Sequence, residues 1–247
     1  MIAVALHGAE GRMGRLLAPM IAESKDCELV GLITEPGRKI PAGEVHPSLP
    51  VIGQDEMAAK LPANCVVIDF SLAVALDGLL VACEELNAGL VIGTTGFTDQ
   101  QLKKLASYGQ SHAIVRAANY SIGIPAMQMV LQLLARTLPA EFDAEQVETH
   151  HITKIDKPSG TAAHLAETWA QHRGGNIAPT HSQRLGGVIG EHRWSLSDAE
   201  ETLEITHRAH SRKAFMRGVL PSVRFVQNAE AGQYNLTDVL QGLAARN

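Results

Sequence analysis

Ile2-Ala3-Val4-Ala5-Leu6, running at once into Gly8-Ala9-Glu10-Gly11-Arg12-Met13-Gly14, is the stretch that decides the fold. A short unbroken apolar run reads as a strand buried on both faces, which belongs in a parallel sheet covered by helices. The glycines at 8, 11 and 14 make a turn, and Arg15 to about Ser24 carries a helical pattern. Strand, glycine turn and helix in that order form the arrangement a dinucleotide pyrophosphate needs. Glycine lets the phosphates approach the backbone, and the helix N-terminus supplies partial positive charge. The turn departs from the strict G-x-G-x-x-G form, because Ala9 and Glu10 stand where the middle glycine usually falls. A second strand, Glu28–Ile33, ends just before Glu35. An acid about 20 residues past such a turn is placed to grip the hydroxyls of an adenosine ribose. A structural tight turn is the competing reading, and the flanking strands and the acid favour nucleotide binding.

Strand and helix continue to alternate outward from this point. Val51-Ile52-Gly53 and Cys65–Phe70 read as strands, residues 72–87 as a helix, Leu90–Gly93 as a strand, Thr98–Tyr108 as a helix and Ala113–Ala117 as a strand. Such alternation predicts right-handed βαβ units, with ligands beyond the carboxyl ends of the strands. Gly8–Gly14, Ser71, Gly93–Gly96 and Ala117–Tyr120 all fall at such ends. A long apolar helix pattern, Ile124–Thr137, then leads into a second region. There Gln146–Thr149, Gly187–Leu196 and Glu200–His210 are strand-like, with a helix at Thr161–His172 and a last helix at Asn235–Leu243. Strands joined without regular helices predict a mixed sheet. The expected class is α/β: an N-terminal Rossmann-type parallel-sheet domain over 1–120, completed by 219–247, and a second α+β domain with a mixed sheet over 121–218.

The chain has 247 residues, a formal charge of −5 and a pI near 6.1, which gives no reason to expect nucleic acid or membrane partners. Cys27, Cys65 and Cys83 are odd in number and lack ligand spacing, so they read as reduced thiols of a cytoplasmic protein. No signal peptide is visible, and no apolar run approaches the ~18 residues that span a bilayer. Eleven histidines are present, but no His-x-x-x-His or Cys-x-x-Cys pair, so no metal site is expected.

The chemistry concentrates in Glu148-Thr149-His150-His151-Ile152-Thr153-Lys154-Ile155-Asp156-Lys157-Pro158-Ser159-Gly160-Thr161-Ala162. At strand period His150, Ile152 and Lys154 share a face, and His151 turns to the same side if the strand gives way to a loop. Pro158-Ser159-Gly160-Thr161 opens a helix whose first N–H groups lack intrahelical partners and can bind an anion. Each residue has a plainer reading: a core histidine, a surface lysine, an N-cap at Ser159 or Thr161. Together they suggest an acid beside a cationic pocket for a carboxylate.

With these segments in view, the chain resembles the 4-hydroxy-tetrahydrodipicolinate reductase (dihydrodipicolinate reductase) family of lysine and diaminopimelate synthesis along essentially its whole length. The markers run in order: Gly8–Gly14, Asp69-Phe70-Ser71, Gly93-Thr94-Thr95-Gly96-Phe97, Ala117-Ala118-Asn119-Tyr120-Ser121, His150–Ala162, Arg184-x-Gly186-x-x-x-Gly190-x-His192 and Ser211-Arg212. The resemblance implies NADH or NADPH on Gly8, Ala9, Glu10, Gly11, Arg12, Met13, Glu35, Gly93, Thr94, Thr95, Ala117, Ala118, Asn119 and Tyr120; Gly93–Gly96 can be read as a plain turn, but its place at a strand end favours contact with the nicotinamide half. It implies a small dicarboxylate substrate held by His151, Ser159, Gly160 and Thr161, with His150 as general acid and Lys154 as cationic partner or second proton donor. It also implies a homotetramer built through the second domain's sheet. Three positions depart from the family's pattern. Pro36 stands where an arginine usually meets the 2′-phosphate of NADPH, which tilts the expectation to NADH, although Arg12, Arg38 and Lys39 leave dual use open. Lys157 replaces an alanine and Tyr120 a phenylalanine. A Rossmann oxidoreductase acting on another carboxylated ring and a non-catalytic nucleotide sensor are the alternatives.

Overall fold

The continuous apolar run of the first strand is divided between two cores on opposite faces of one sheet. In the computed structural model, which describes residues 1–38, 40, 41 and 43–244, β1 (Ile2–His7) has Val4, Ala5 and Leu6 fully buried. Val4 and Leu6 pack with Leu17, Ile21 and Val219 on one side, while Ala5 packs with Ile33, Leu79 and Leu90 on the other. Strand alternation forces that division, and it is why every residue in the run is apolar.

The chain divides into two compact units, Met1–Tyr120 with Met216–Asn247, and Ser121–Phe215. In the first, β1 is followed by α1 (Gly14–Ala22), β2 (Cys27–Thr34), β3 (Val51–Gly53), α2 (Met57–Lys60), β4 (Val66–Asp69), α3 (Leu76–Leu86), β5 (Gly89–Ile92), α4 (Asp99–Tyr108) and β6 (Ala113–Arg116). The sheet has seven strands in the order β11-β6-β5-β4-β1-β2-β3, where β11 is Gly232–Tyr234, and every pairing is parallel. From β1 the chain builds outward through β2 and β3, then crosses back to β4 on the other side. The order therefore reverses between β1 and β4, where an open α/β sheet leaves its ligand crevice.

The end of the chain returns to this unit as α7 (Val219–Val226), β11 and α8 (Leu236–Ala244). Val219, Val223, Leu236 and Val239 are buried in the core that holds Val4 and Leu6. Neither α7 nor β11 is predicted from periodicity. β11 is a three-residue edge strand, Gly-Gln-Tyr, with no apolar run to mark it.

The second unit holds α5 (Gly123–Thr137), β7 (Asp143–His150), α6 (Gly160–His172), β8 (Thr180–Arg184), β9 (Glu191–Ser197) and β10 (Thr202–Arg208). Its sheet runs β10-β9-β7-β8, with β7 and β8 parallel and β9 antiparallel to its neighbours, hence mixed. Met127 and Leu131 of α5, Leu165 and Trp169 of α6, and Trp194 and Leu196 of β9 form its core.

Two local expectations are corrected, and one strand was not expected. β8, Thr-His-Ser-Gln-Arg, is an edge strand of polar residues that no hydrophobic pattern marks. β9 begins at Glu191 and not at Gly187, because Gly186 takes a positive φ of 48° and the Val188 N–H bonds the Leu185 carbonyl in a turn. β7 ends at His150, so the strand face does not extend to Ile152 and Lys154. Ile152 is 67% exposed, and the Lys154 N–H turns back to the His151 carbonyl at 3.1 Å. Among the described residues no helix is long and apolar enough to cross a membrane, and no group of His, Cys, Asp or Glu is arranged to hold a metal ion.

Candidate active site

The first unit presents a crevice at the carboxyl ends of β1, β2 and β4. Gly8 has φ of +77°, and a Cβ there would lie 2.5 Å from the Phe70 carbonyl oxygen, so only glycine lets the turn pass this close to β4. Gly14 is equally constrained, since its Cβ would stand 2.3 Å from the Gly8 carbonyl oxygen. α1 starts there with no side-chain cap and no acid in its first turn, an end suited to an anion. His7 and Asp69, both buried, pair at 2.9 Å beneath the turn, and Asp69 accepts from the Ser71 hydroxyl at 2.6 Å. This pair ties the end of β1 to the loop after β4.

A cavity of about 180 Å³ opens above this pair, bordered by Gly8, Glu10, Thr34, Glu35, Arg38 and Ser71 among others. Among the described residues of the unit, two buried side-chain oxygens have no hydrogen-bond partner, Glu10 Oε2 and Thr94 Oγ1. A cradle that tolerates no Cβ, an uncapped helix start and buried oxygens awaiting partners fit a nicotinamide dinucleotide. Gly93 lies at the end of β5 with its missing Cβ 2.2 Å from the Phe70 ring, so that ring seats the Gly93–Thr94 turn.

In the second unit the site is built on the end of β7. Glu148 and His150 lie two residues apart on one face, and a Glu148 oxygen hydrogen-bonds His150 Nδ1. Glu148 is fully buried, and its other oxygen accepts from Arg184 at 2.8 Å. Burial pushes the Glu148 carboxyl up, but hydrogen bonds from Ser182, Arg184 and His150 outweigh it and hold the carboxyl below its ordinary range. Burial lowers the His150 imidazole, and the Glu148 carboxylate opposes that fall without cancelling it. With Nδ1 committed to the carboxylate, Nε2 is the nitrogen chemically able to exchange a proton. Gly190 leaves room beside it, since a Cβ at Gly190 would lie 3.2 Å from Nε2. His192 stands edge-on to His150 with ring centroids 5.4 Å apart. Burial, with His150 and His207 beside it, lowers His192 to about 4, so it adds no second charge at neutral pH.

Arg184 also organises the loop that follows His150. Its Nε donates to the Lys154 carbonyl at 3.1 Å, and a terminal nitrogen donates to the Asp156 carbonyl. Lys154 Nζ lies 2.8 Å from Asp156 Oδ1, and the lysine keeps the Asp156 carboxyl below its ordinary value. The His151 ring pairs with the Thr153 hydroxyl at 2.7 Å. Beyond the loop, α6 begins at Gly160, where a Cβ would meet open space.

Comparison with known proteins decides the family. The dihydrodipicolinate reductase N-terminal model matches residues 2–120 and its C-terminal model residues 123–240. The 4-hydroxy-tetrahydrodipicolinate reductase of Psychrobacter arcticus is 36% identical over 97% of this chain and 95% of its own length. That of Stenotrophomonas maltophilia is 38% identical over 96% of each chain. The chain belongs to the dihydrodipicolinate reductase family. Membership makes it an oxidoreductase whose first unit is a nucleotide-binding fold. A solved dipicolinate-bound dihydrodipicolinate reductase from Paenisporosarcina sp. TG-14 superposes with a TM-score of 0.83 at 26% identity, over 96% of this chain and 99% of that one.

The residues singled out from the sequence divide by where this dihydrodipicolinate reductase fold places them. Gly8, Glu10, Gly11 and Glu35 border the first unit's cavity. Ala9 is wholly buried in the core, as is the Tyr120 side chain, whose hydroxyl donates to the Ile92 and Val115 carbonyls at 2.9 and 3.1 Å. Met13 packs on the same core, while Arg12, Thr95 and Ala118 are exposed and Ala117 is half-buried. Ser159 is buried, and its hydroxyl caps α6 by accepting from the Ala162 N–H at 3.2 Å. Lys39 lies outside the described residues. Sequence reasoning misses His7, Glu148 and Arg184 as functional positions. Signals for two of them were present: Glu148 shares the strand face of His150, and Arg184 opens the Arg-x-Gly-x-x-x-Gly-x-His string.

Proposed function

We propose that this chain reduces 4-hydroxy-tetrahydrodipicolinate to tetrahydrodipicolinate, with loss of water, in lysine and diaminopimelate synthesis. The carrying observation is the His150–Glu148–Arg184 chain at the end of β7, with Lys154 on the loop that the same arginine pins. The bound cofactor supplies the hydride. His150 supplies the proton from Nε2, while Glu148 holds the ring by Nδ1 and stabilises its charged form. Lys154 exchanges its internal partner Asp156 for a substrate carboxylate, a swap between two carboxylates of like charge. The start of α6 at Gly160 and Thr161 offers backbone N–H groups to the substrate, with no acid in its first turn to oppose an anion. Ser159 contributes by holding that turn, and His151 lines the approach. NADH is the favoured cofactor, because Pro36 removes the usual 2′-phosphate arginine. A cytoplasmic homotetramer whose second unit binds substrate and makes the subunit contact completes the reading.

The test is the loss of reduced-nicotinamide absorbance on adding freshly generated 4-hydroxy-tetrahydrodipicolinate, with NADH and NADPH in parallel. Rapid oxidation supports the assignment. Nucleotide binding without oxidation by either cofactor overturns it in favour of a different ring substrate or a sensor.

A further inference from the structure

We infer that Glu10, at the usual position of the middle glycine, is the acid that selects the cofactor, accepting the 2′-hydroxyl of the adenosine ribose and opposing a 2′-phosphate. This rests on the reading that the first unit's crevice takes a nicotinamide dinucleotide. Glu10 folds back onto the end of β2: its Oε1 accepts from the Thr34 hydroxyl at 2.5 Å, and only 16% of its side chain is exposed. The other oxygen, Oε2, is buried without a hydrogen-bond partner in a residue that borders the cavity. A desolvated carboxylate oxygen lacking a donor is costly, and a ribose hydroxyl supplies one.

The nearby cation is already engaged. Arg38 lies 3.2 Å from Glu35 Oε1 and 3.5 Å from Glu10 Oε1, so two carboxylates flank the guanidinium that would otherwise receive a 2′-phosphate. A phosphate entering there meets an acid on either side of its only described cationic neighbour in the cavity wall. Glu35 has 62% of its side chain exposed, which leaves its charge screened by solvent. Glu10 is the fixed and desolvated acid of the two, so it dominates the choice.

Equilibrium titration of NADH, NADPH and 2′-deoxy-NADH against the whole chain tests this. The native chain should prefer NADH and lose affinity for the 2′-deoxy form. In Glu10→Gln, NADH should bind about tenfold more weakly, as loss of a hydrogen bond to a charged group implies, while NADPH binds no more weakly than before. The 2′-deoxy penalty should shrink in the same variant. Glu35→Gln should move the NADH to NADPH ratio less. Thr34→Val, which keeps the charge and frees Oε1, should weaken NADH while leaving NADPH disfavoured. Equal gains for both cofactors in Glu10→Gln would mean that the carboxylate merely repels the diphosphate, and the inference would fall. A larger shift from Glu35→Gln would also overturn it. Binding of neither cofactor by the native chain would instead defeat the underlying nucleotide reading.

Discussion

His150 draws its acidity from two opposed influences, and the balance between them is set by single side chains. Burial lowers its pKa and Glu148 raises it. An acid works in its protonated form, so kcat/KM should fall as pH rises through the His150 pKa, which lies below the ordinary histidine value. Glu148→Gln keeps the shape but removes the charge that raises that pKa, so the fall should move to lower pH, read from the kcat/KM profile. A superimposable profile would strip Glu148 of this role. His150→Gln should lower turnover by about 10²-fold or more while nucleotide affinity stays nearly unchanged, because the acid lies in the unit that does not carry the glycine turn. Single-turnover assays and nucleotide titration check the two halves of that statement. His150 itself was legible in the sequence. Its partner was harder to see, because whether a strand glutamate is buried depends on Ser182 and Arg184 from the neighbouring strand.

At the scale of elements, α6 and β7 show how local chemistry and pairing divide the work. Ser159 caps α6 with its hydroxyl, so Ser159→Ala should cost about 1 kcal/mol of stability, measured by urea denaturation. A loss of substrate affinity with no loss of stability would instead make the hydroxyl a ligand. β7 ends where its partner ends: His150 pairs with Arg184, the last residue of β8, and the chain leaves the sheet. The hydrophobic period carried no information about that end, because Ile152 offers an apolar side chain that has nothing to pack against. The inner strands β1, β2, β4 and β5 were legible because burial on both faces demands mostly apolar residues. β8 and β11 were not, because edge strands need only main-chain pairing.

Across the whole molecule, the last thirty-odd residues complete the first unit's core, although almost a hundred residues of the second unit separate them from it in sequence. Leu236 is 4% exposed within that core, so Leu236→Ala should destabilise the first unit by about 2–5 kcal/mol. The measurement is the urea midpoint of nucleotide-binding competence. Excess NADH, at about 100 times Kd, should restore about 2.7 kcal/mol of the loss. An unchanged midpoint would show that α8 adds nothing to the fold of the unit. The amino-acid sequence by itself determined the parallel sheet, the glycine turn, the candidate histidine and the family, because these rest on local runs and spacings that a linear chain displays directly. Only the tertiary structure decided that Glu148 and Arg184 hold that histidine, that His7 meets Asp69, and that Glu10, beside the crevice, buries an oxygen without a partner. Each of those depends on which groups folding removes from water together, and desolvation is a property of the packed molecule that no local stretch of sequence carries.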